Sequence, residues 1–170
     1  MPLPTVDAHA IASFKKFYTL LPRGGDTSLM ILELHLLVEE QIRAFVAERL
    51  AKSEALEDAK LECHQAICLA ESLSTEDIHP NVWEAARKLN GLRNHIAHTL
   101  EPTGVRDRMN NISELVGVPR QLLKIDGKAP EAAAIENLSF AVSMLYGELS
   151  IFVKRRPAKV LSIVQDKPDA

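Results

Sequence analysis

Apolar residues recur along this 170-residue chain at spacings of three and four, the period of a helix buried on one face. No stretch alternates apolar and polar positions between turn signals, as a half-buried strand would. The pattern predicts an all-α protein. A first helix is expected over residues 6–21, stopped by Pro22, Gly24 and Gly25, after which Asp26 or Thr27 can cap a second helix reaching residue 51. That second helix is apolar almost all round, with Leu29, Met30, Leu34, Leu37, Ile42 and Phe45 among its residues. Such a helix is central, or lies between a core and a partner subunit. A third helix is expected over 53–73, followed by fresh capping groups at 74–77. Pro80 suits the first turn of a fourth helix, expected to end near Leu100 ahead of Pro102 and Gly104. Periodicity is weak over 105–128, which reads as short helical pieces with turns at Gly117, Pro119 and Gly127. Ile135, Leu138, Val142, Leu145, Leu149 and Phe152 predict a long last helix over 130–156, closed by Pro157. The tail, 157–170, is expected to be mobile or to pack as a short apolar segment.

Length and composition narrow the class. The 170 residues suit one domain spanning 1–170, with 1–25 as its N-terminal helix and loop, and no internal repeat interrupts it. With 46% hydrophobic and 25% charged residues the chain is ordinary for a globular protein that needs no disulfide or structural metal. A net charge of −3 argues against coating nucleic acid by bulk attraction, so any RNA contact must be local. Cys63 and Cys68 lie five apart with no second pair, which fits neither a redox CxxC nor a zinc knuckle; both read as reduced residues packed within a helix. The N-terminal stretch lacks the continuous apolar run of a secretory signal, and 29–38 is too short and too interrupted, by Glu33 and His35, to span a membrane. A cytoplasmic location without membrane contact is expected.

The segment LRNHIAHTL, residues 92–100, concentrates the candidate chemistry. With Arg93 set at zero on a helical wheel, Ala97 falls at about 40°, Asn94 at about 100° and His98 at about 140°. A phosphate binder, an orienting amide and a titratable base thus share one face, with small Ala97 between them leaving room for a substrate group. Leu89, Leu92, Ile96 and Leu100 fall on the adjoining side and read as the buried stripe. His95 lies about 60° beyond His98 as a less central neighbour.

The arrangement of Arg93, a polar Asn94, a short spacer with Ala97, and His98 on a helix of a small all-α chain resembles the HEPN superfamily. The resemblance implies a helical bundle with long antiparallel helices, commonly dimeric, and a metal-independent endoribonuclease such as those of toxin–antitoxin, CRISPR and phage-defence systems. It assigns Arg93, Asn94 and His98 as catalytic and implies RNA, a second copy of the chain and a possible antitoxin as partners, with no cofactor. It also extends to non-catalytic HEPN-like regulators and binding modules, and the mannitol-operon repressor family has a similar Arg-Asn-x-x-Ala-His segment.

The chemistry is consistent with these roles. Metal-free RNA cleavage uses the 2′-hydroxyl as nucleophile on the adjacent phosphorus and leaves a 2′,3′-cyclic phosphate. It needs a base, a proton donor for the leaving oxygen, and positive charge at the phosphate. Histidine suits either proton-transfer role, arginine offers phosphate a planar fork of donors, and Asn94 can fix an imidazole or a phosphate oxygen. One motif supplies one such imidazole, so a symmetric dimer is expected to complete the site from two copies of the helix.

Other readings attach to the same residues. Arg93 and Asn94 could pair with acidic groups on another helix while His98 sits at a helix C-terminus, where a cation is favoured. His95 and His98 stand three apart as an acceptable metal pair, but no HExxH or comparable partner accompanies them, and no metal is expected. Arg87, Asn90 and His95 are candidate substrate contacts along the RNA backbone. Glu33 and Glu40, seven apart, face one way and could hold Arg93 or line the cleft. Trp83 reads as a core anchor rather than a stacking platform, Gly91 as a site of tight helix packing, and Lys154, Arg155 and Arg156 as complements to a helix dipole.

Overall fold

The computed structural model describes residues 8–21, 25–74, 78–118 and 129–154. Seven helices and no strand occur among them: α1 (Ala8–Leu20), α2 (Thr27–Ala47), α3 (Ala55–Ala59), α4 (Cys63–Ser72), α5 (Pro80–His98), α6 (Val105–Val116) and α7 (Pro130–Val153). The tail at 157–170 and most of the weak segment beyond Val118 lie outside the described residues.

Local chemistry sets the boundaries. Asp26 caps α2 as expected, its carboxylate accepting from the Leu29 amide at 3.0 Å. Pro80 opens α5, and the cap comes from His79, whose Nδ1 accepts from the Asn81 amide at 3.2 Å. The helix expected over 53–73 is broken instead: Lys60 adopts φ 47 and ψ 46, in the left-handed region, and ends α3. The chain restarts at Glu62, whose amide donates to Gln65 Oε1 at 2.9 Å. Beyond Gly104, where short pieces were expected, α6 is one twelve-residue helix ended by Gly117 at φ 86, a conformation open to glycine without strain.

Phe17 of α1, Ile31, Leu34, Ile42 and Phe45 of α2, Ile67 of α4, Trp83 and Leu89 of α5, Ile112 of α6 and Tyr146 and Leu149 of α7 belong to one continuous core. Trp83 anchors it, 2% exposed and edge-on to Phe45 at 5.5 Å between ring centroids. Phe45 meets Trp83 while His35 meets Asn90, so α2 and α5 run in opposite senses. By contrast, Gln41 bonds Tyr146 and Arg49 bonds the carbonyls of Phe152 and Val153, which places α2 and α7 in the same sense. The α2–α5 pairing brings the N-terminal half of α2 beside the C-terminal turns of α5, where the candidate motif lies.

Candidate functional site

On α5, Val82, Trp83, Ala85, Ala86, Leu89, Asn90 and Leu92 are buried. They cover roughly half of the helical wheel, from Leu92 at about −100° to Trp83 at about +80° relative to Arg93. Arg93 therefore continues the buried arc at its centre and projects over the end of the core, half-buried. Its Nη1 donates to Asn94 Oδ1 at 2.9 Å. His98, one turn further on, is exposed, and its imidazole makes no hydrogen bond or ion pair with another described residue. Thr99 is extended and ends α5, so Leu100, expected in the buried stripe, is fully exposed.

Three sequence-based expectations, for Asn90, Arg87 and Gly91, change here. Asn90, expected along the RNA path, is 8% exposed and faces α2, where its Oδ1 lies 3.1 Å from His35 Nε2. The wheel places Asn90 at about 60°, inside the buried arc. Arg87 is ion-paired with Glu71 of α4, which occupies its guanidinium. His95 is half-buried and its Nε2 donates to the Thr103 carbonyl at 2.9 Å, leaving Nδ1 as the acceptor nitrogen. Gly91 is not a close-packing site, because a Cβ added there would meet nothing within 4 Å. It lines a shallow cleft between α5 and α6 with Lys88, Gly104, Asp107, Arg108 and Asn111. Lys88, Gly91 and His95 fall between about 160° and 220° on the wheel, opposite Arg93.

Within electrostatic reach of Arg93 lies a polar cluster that sequence reasoning missed. His35 of α2 is 3% exposed. Its Nε2 lies 3.1 Å from Asn90 Oδ1 and 3.4 Å from Cys63 Sγ, and its Nδ1 lies 3.7 Å from Glu39 Oε2. Glu39 Oε1 takes the Arg43 Nε at 3.0 Å and Nη2 at 2.6 Å, and Arg43 Nη2 also donates to the Leu61 carbonyl at 2.9 Å. Burial pulls the His35 pKa below its usual value against the opposing pull of Glu39 and the Asn90 hydrogen bond, with the Arg93 charge adding to the lowering. Burial and the nearby Glu39 carboxylate push the Cys63 thiol up to about 11, while Arg43 and Arg93 act the other way. The signal in the sequence was a histidine inside an apolar run on α2, which needs a partner once buried.

Of the acidic residues considered for this region, Glu40 instead pairs with Lys16 of α1. The carboxylate that does reach the cluster is Glu39. Lys154 pairs with Glu48, and Arg155 and Arg156 lie outside the described residues. Both cysteines are free thiols. No described helix is long and apolar enough to cross a membrane. Comparison of the chain with protein-family models, curated proteins and solved structures finds no match.

Proposed function

We propose that the protein is a metal-independent endoribonuclease of HEPN type, acting on RNA at a composite site formed when two copies of α5 meet. The observation that carries this reading is the pairing of a half-buried Arg93, fixed on Asn94 at 2.9 Å, with an exposed His98 one turn beyond it. A guanidinium fixed before the substrate arrives costs less to order around a phosphate. The exposed imidazole is free to exchange protons with a 2′-hydroxyl or a leaving oxygen. A two-fold axis near Thr99 would set two histidines and two arginines around one cleft. On the side of α5 away from Arg93 and nearer His98, the α5–α6 cleft, with Lys88, Asp107 and Arg108 on its walls, would carry the RNA backbone past His98. A toxin of a toxin–antitoxin or phage-defence pair, held in check by an antitoxin protein, fits this activity.

Mapping the ends left after incubation with total cellular RNA tests the reaction class. Fragments ending in 2′,3′-cyclic phosphate are expected, and a strictly monomeric protein at micromolar concentration would remove the composite site.

A non-catalytic helical regulator or binding module is the second reading. It is favoured by the position of Arg93 at the centre of the buried arc of α5, with its charge near enough to His35 and Cys63 to pull the pKa of both downward. It expects a stable dimer that leaves RNA intact.

A further inference from the structure

We propose that His35, Glu39 and Cys63 form a binding site for a zinc-class divalent cation that ties α2 to α4. This inference is independent of the ribonuclease reading. An imidazole nitrogen, the thiol sulfur and a carboxylate oxygen lie within 4.8 Å of one another, and His35 and Glu39 are one turn apart on the same helix. Tetrahedral zinc with bonds of about 2.0–2.3 Å holds its ligand atoms roughly 3.5 Å apart. The Nδ1 to Glu39 Oε2 separation of 3.7 Å already approaches that value, while Cys63 Sγ, which stands 3.4 Å from Nε2, must swing toward Nδ1 to complete the set.

Without a cation, the unpartnered nitrogen of this cluster is His35 Nδ1. His35 is 3% exposed, and its Nδ1 makes no hydrogen bond among the described residues. If Nε2 carries the proton and donates to Asn90, the Nδ1 lone pair faces a carboxylate oxygen. If Nδ1 carries it, Nε2 can accept from the Cys63 thiol at 3.4 Å but also meets the Asn90 oxygen, and a doubly protonated ring is a buried charge beside Glu39. A cation on Nδ1 removes the conflict. Nε2–H keeps Asn90 as its acceptor at 3.1 Å, the outer contact that orients metal-bound histidines. On binding, the Cys63 thiol releases its proton to solvent. One dication, one thiolate, one carboxylate and a neutral imidazole then sum to zero charge, while Arg43 stays on the other Glu39 oxygen. The mixed nitrogen, oxygen and sulfur set selects zinc or cobalt over magnesium or calcium. Three protein ligands leave the fourth position to water.

The test is titration of the chelator-stripped full-length protein with Co2+ and then Zn2+. One Co2+ per chain is expected, with a thiolate-to-cobalt charge-transfer band and intense tetrahedral ligand-field bands that Zn2+ abolishes. Cys63→Ser should remove the charge-transfer band and weaken binding about 100-fold or more, while Cys68→Ser should leave both unchanged. Glu39→Gln should weaken binding by at least about tenfold. Circular dichroism checks that each variant is folded. Should Glu39→Gln fail to fold, Cys63→Ser, a near-isosteric change, decides the matter. The proposal is overturned if no charge-transfer band develops, or if Cys63→Ser binds as tightly as the unaltered chain. The spectrum is read without RNA, so it succeeds or fails separately from nuclease activity.

Discussion

Replacing Asn90 with alanine tests whether this residue serves the buried junction or the substrate. The Asn90 Oδ1 lies 3.1 Å from Nε2 of a histidine that is 3% exposed, so Asn90→Ala strands a buried donor. Such a loss costs about 1–3 kcal/mol. Cys63 Sγ stands 3.4 Å from the same nitrogen, but sulfur is a weak acceptor and recovers only part of that. A net loss of about 2 kcal/mol corresponds to a fall in melting temperature of roughly 4–8 °C for a chain of this size. Urea and thermal unfolding in chelator, followed by circular dichroism, give the measurement. The double variant His35→Leu with Asn90→Leu removes donor and acceptor together and should return to within about 1 kcal/mol of the unaltered protein, because swapping a whole polar pair for apolar groups strands nothing. If Asn90→Ala unfolds within about 0.5 kcal/mol of the unaltered chain, the hydrogen bond carries no weight. A lowered RNA affinity with unchanged stability would instead return Asn90 to the substrate path.

Three further outcomes follow from the same geometry. Gly91→Ala should stabilise the protein by about 1 kcal/mol in urea unfolding, since the position is mid-helix and exposed and a methyl group there meets nothing within 4 Å; a loss of stability would show that close packing matters there after all. Arg49 donates to the carbonyls of Phe45, Phe152 and Val153 at 2.8–3.2 Å and lies over the Phe45 ring, so Arg49→Met should cost about 1.5–3 kcal/mol by the same assay, and a neutral result would contradict the role of Arg49 in closing α7. His35, faced by Glu39 of α2, Cys63 of α4 and Asn90 and Arg93 of α5, has its folded pKa lowered from 6.5, so the folded state binds fewer protons than the unfolded one as pH falls. Its contribution is fully present above pH 6.5 and lost as pH drops through the lower folded value, so in chelator the urea midpoint should fall between pH 7.5 and 5.0 more steeply for the unaltered chain than for His35→Gln; equal slopes would contradict this.

Much of the architecture was legible because helices announce themselves by period and punctuation. Asp26, Pro80 and Gly117 stand where caps and stops were expected, and Trp83 is the core anchor its size suggested. The break after Ala59 was not legible, since Lys60 carries no preference for the left-handed conformation that ends α3. The grouping of Arg93, Asn94 and His98 on one face was a reading of local geometry alone; Arg93 and Asn94 meet at 2.9 Å, but Arg93 lies at the centre of the buried arc while His98 is exposed. The wheel aligns Arg93 with Ala86 one heptad earlier, and only the burial of Ala86 and Leu89 against the core reveals that Arg93 projects over it. The His35 cluster draws on α2, α4 and α5, with 28 residues separating His35 from Cys63 and 55 separating it from Asn90. No local spacing encodes such a meeting. Its trace was a polar residue inside an apolar helix, which predicts that a partner exists without naming it.

The proposed ribonuclease activity rests on His98. Purified protein and its His98→Ala variant, both shown by circular dichroism to be folded, should be incubated with total cellular RNA in excess chelator and the cleavage rates compared. The unaltered protein should cleave, and His98→Ala should lose about 100-fold or more, the scale of a removed proton-transfer group. A His98→Ala variant that cleaves at the unaltered rate, or an unaltered protein that leaves RNA intact, would contradict the proposed function.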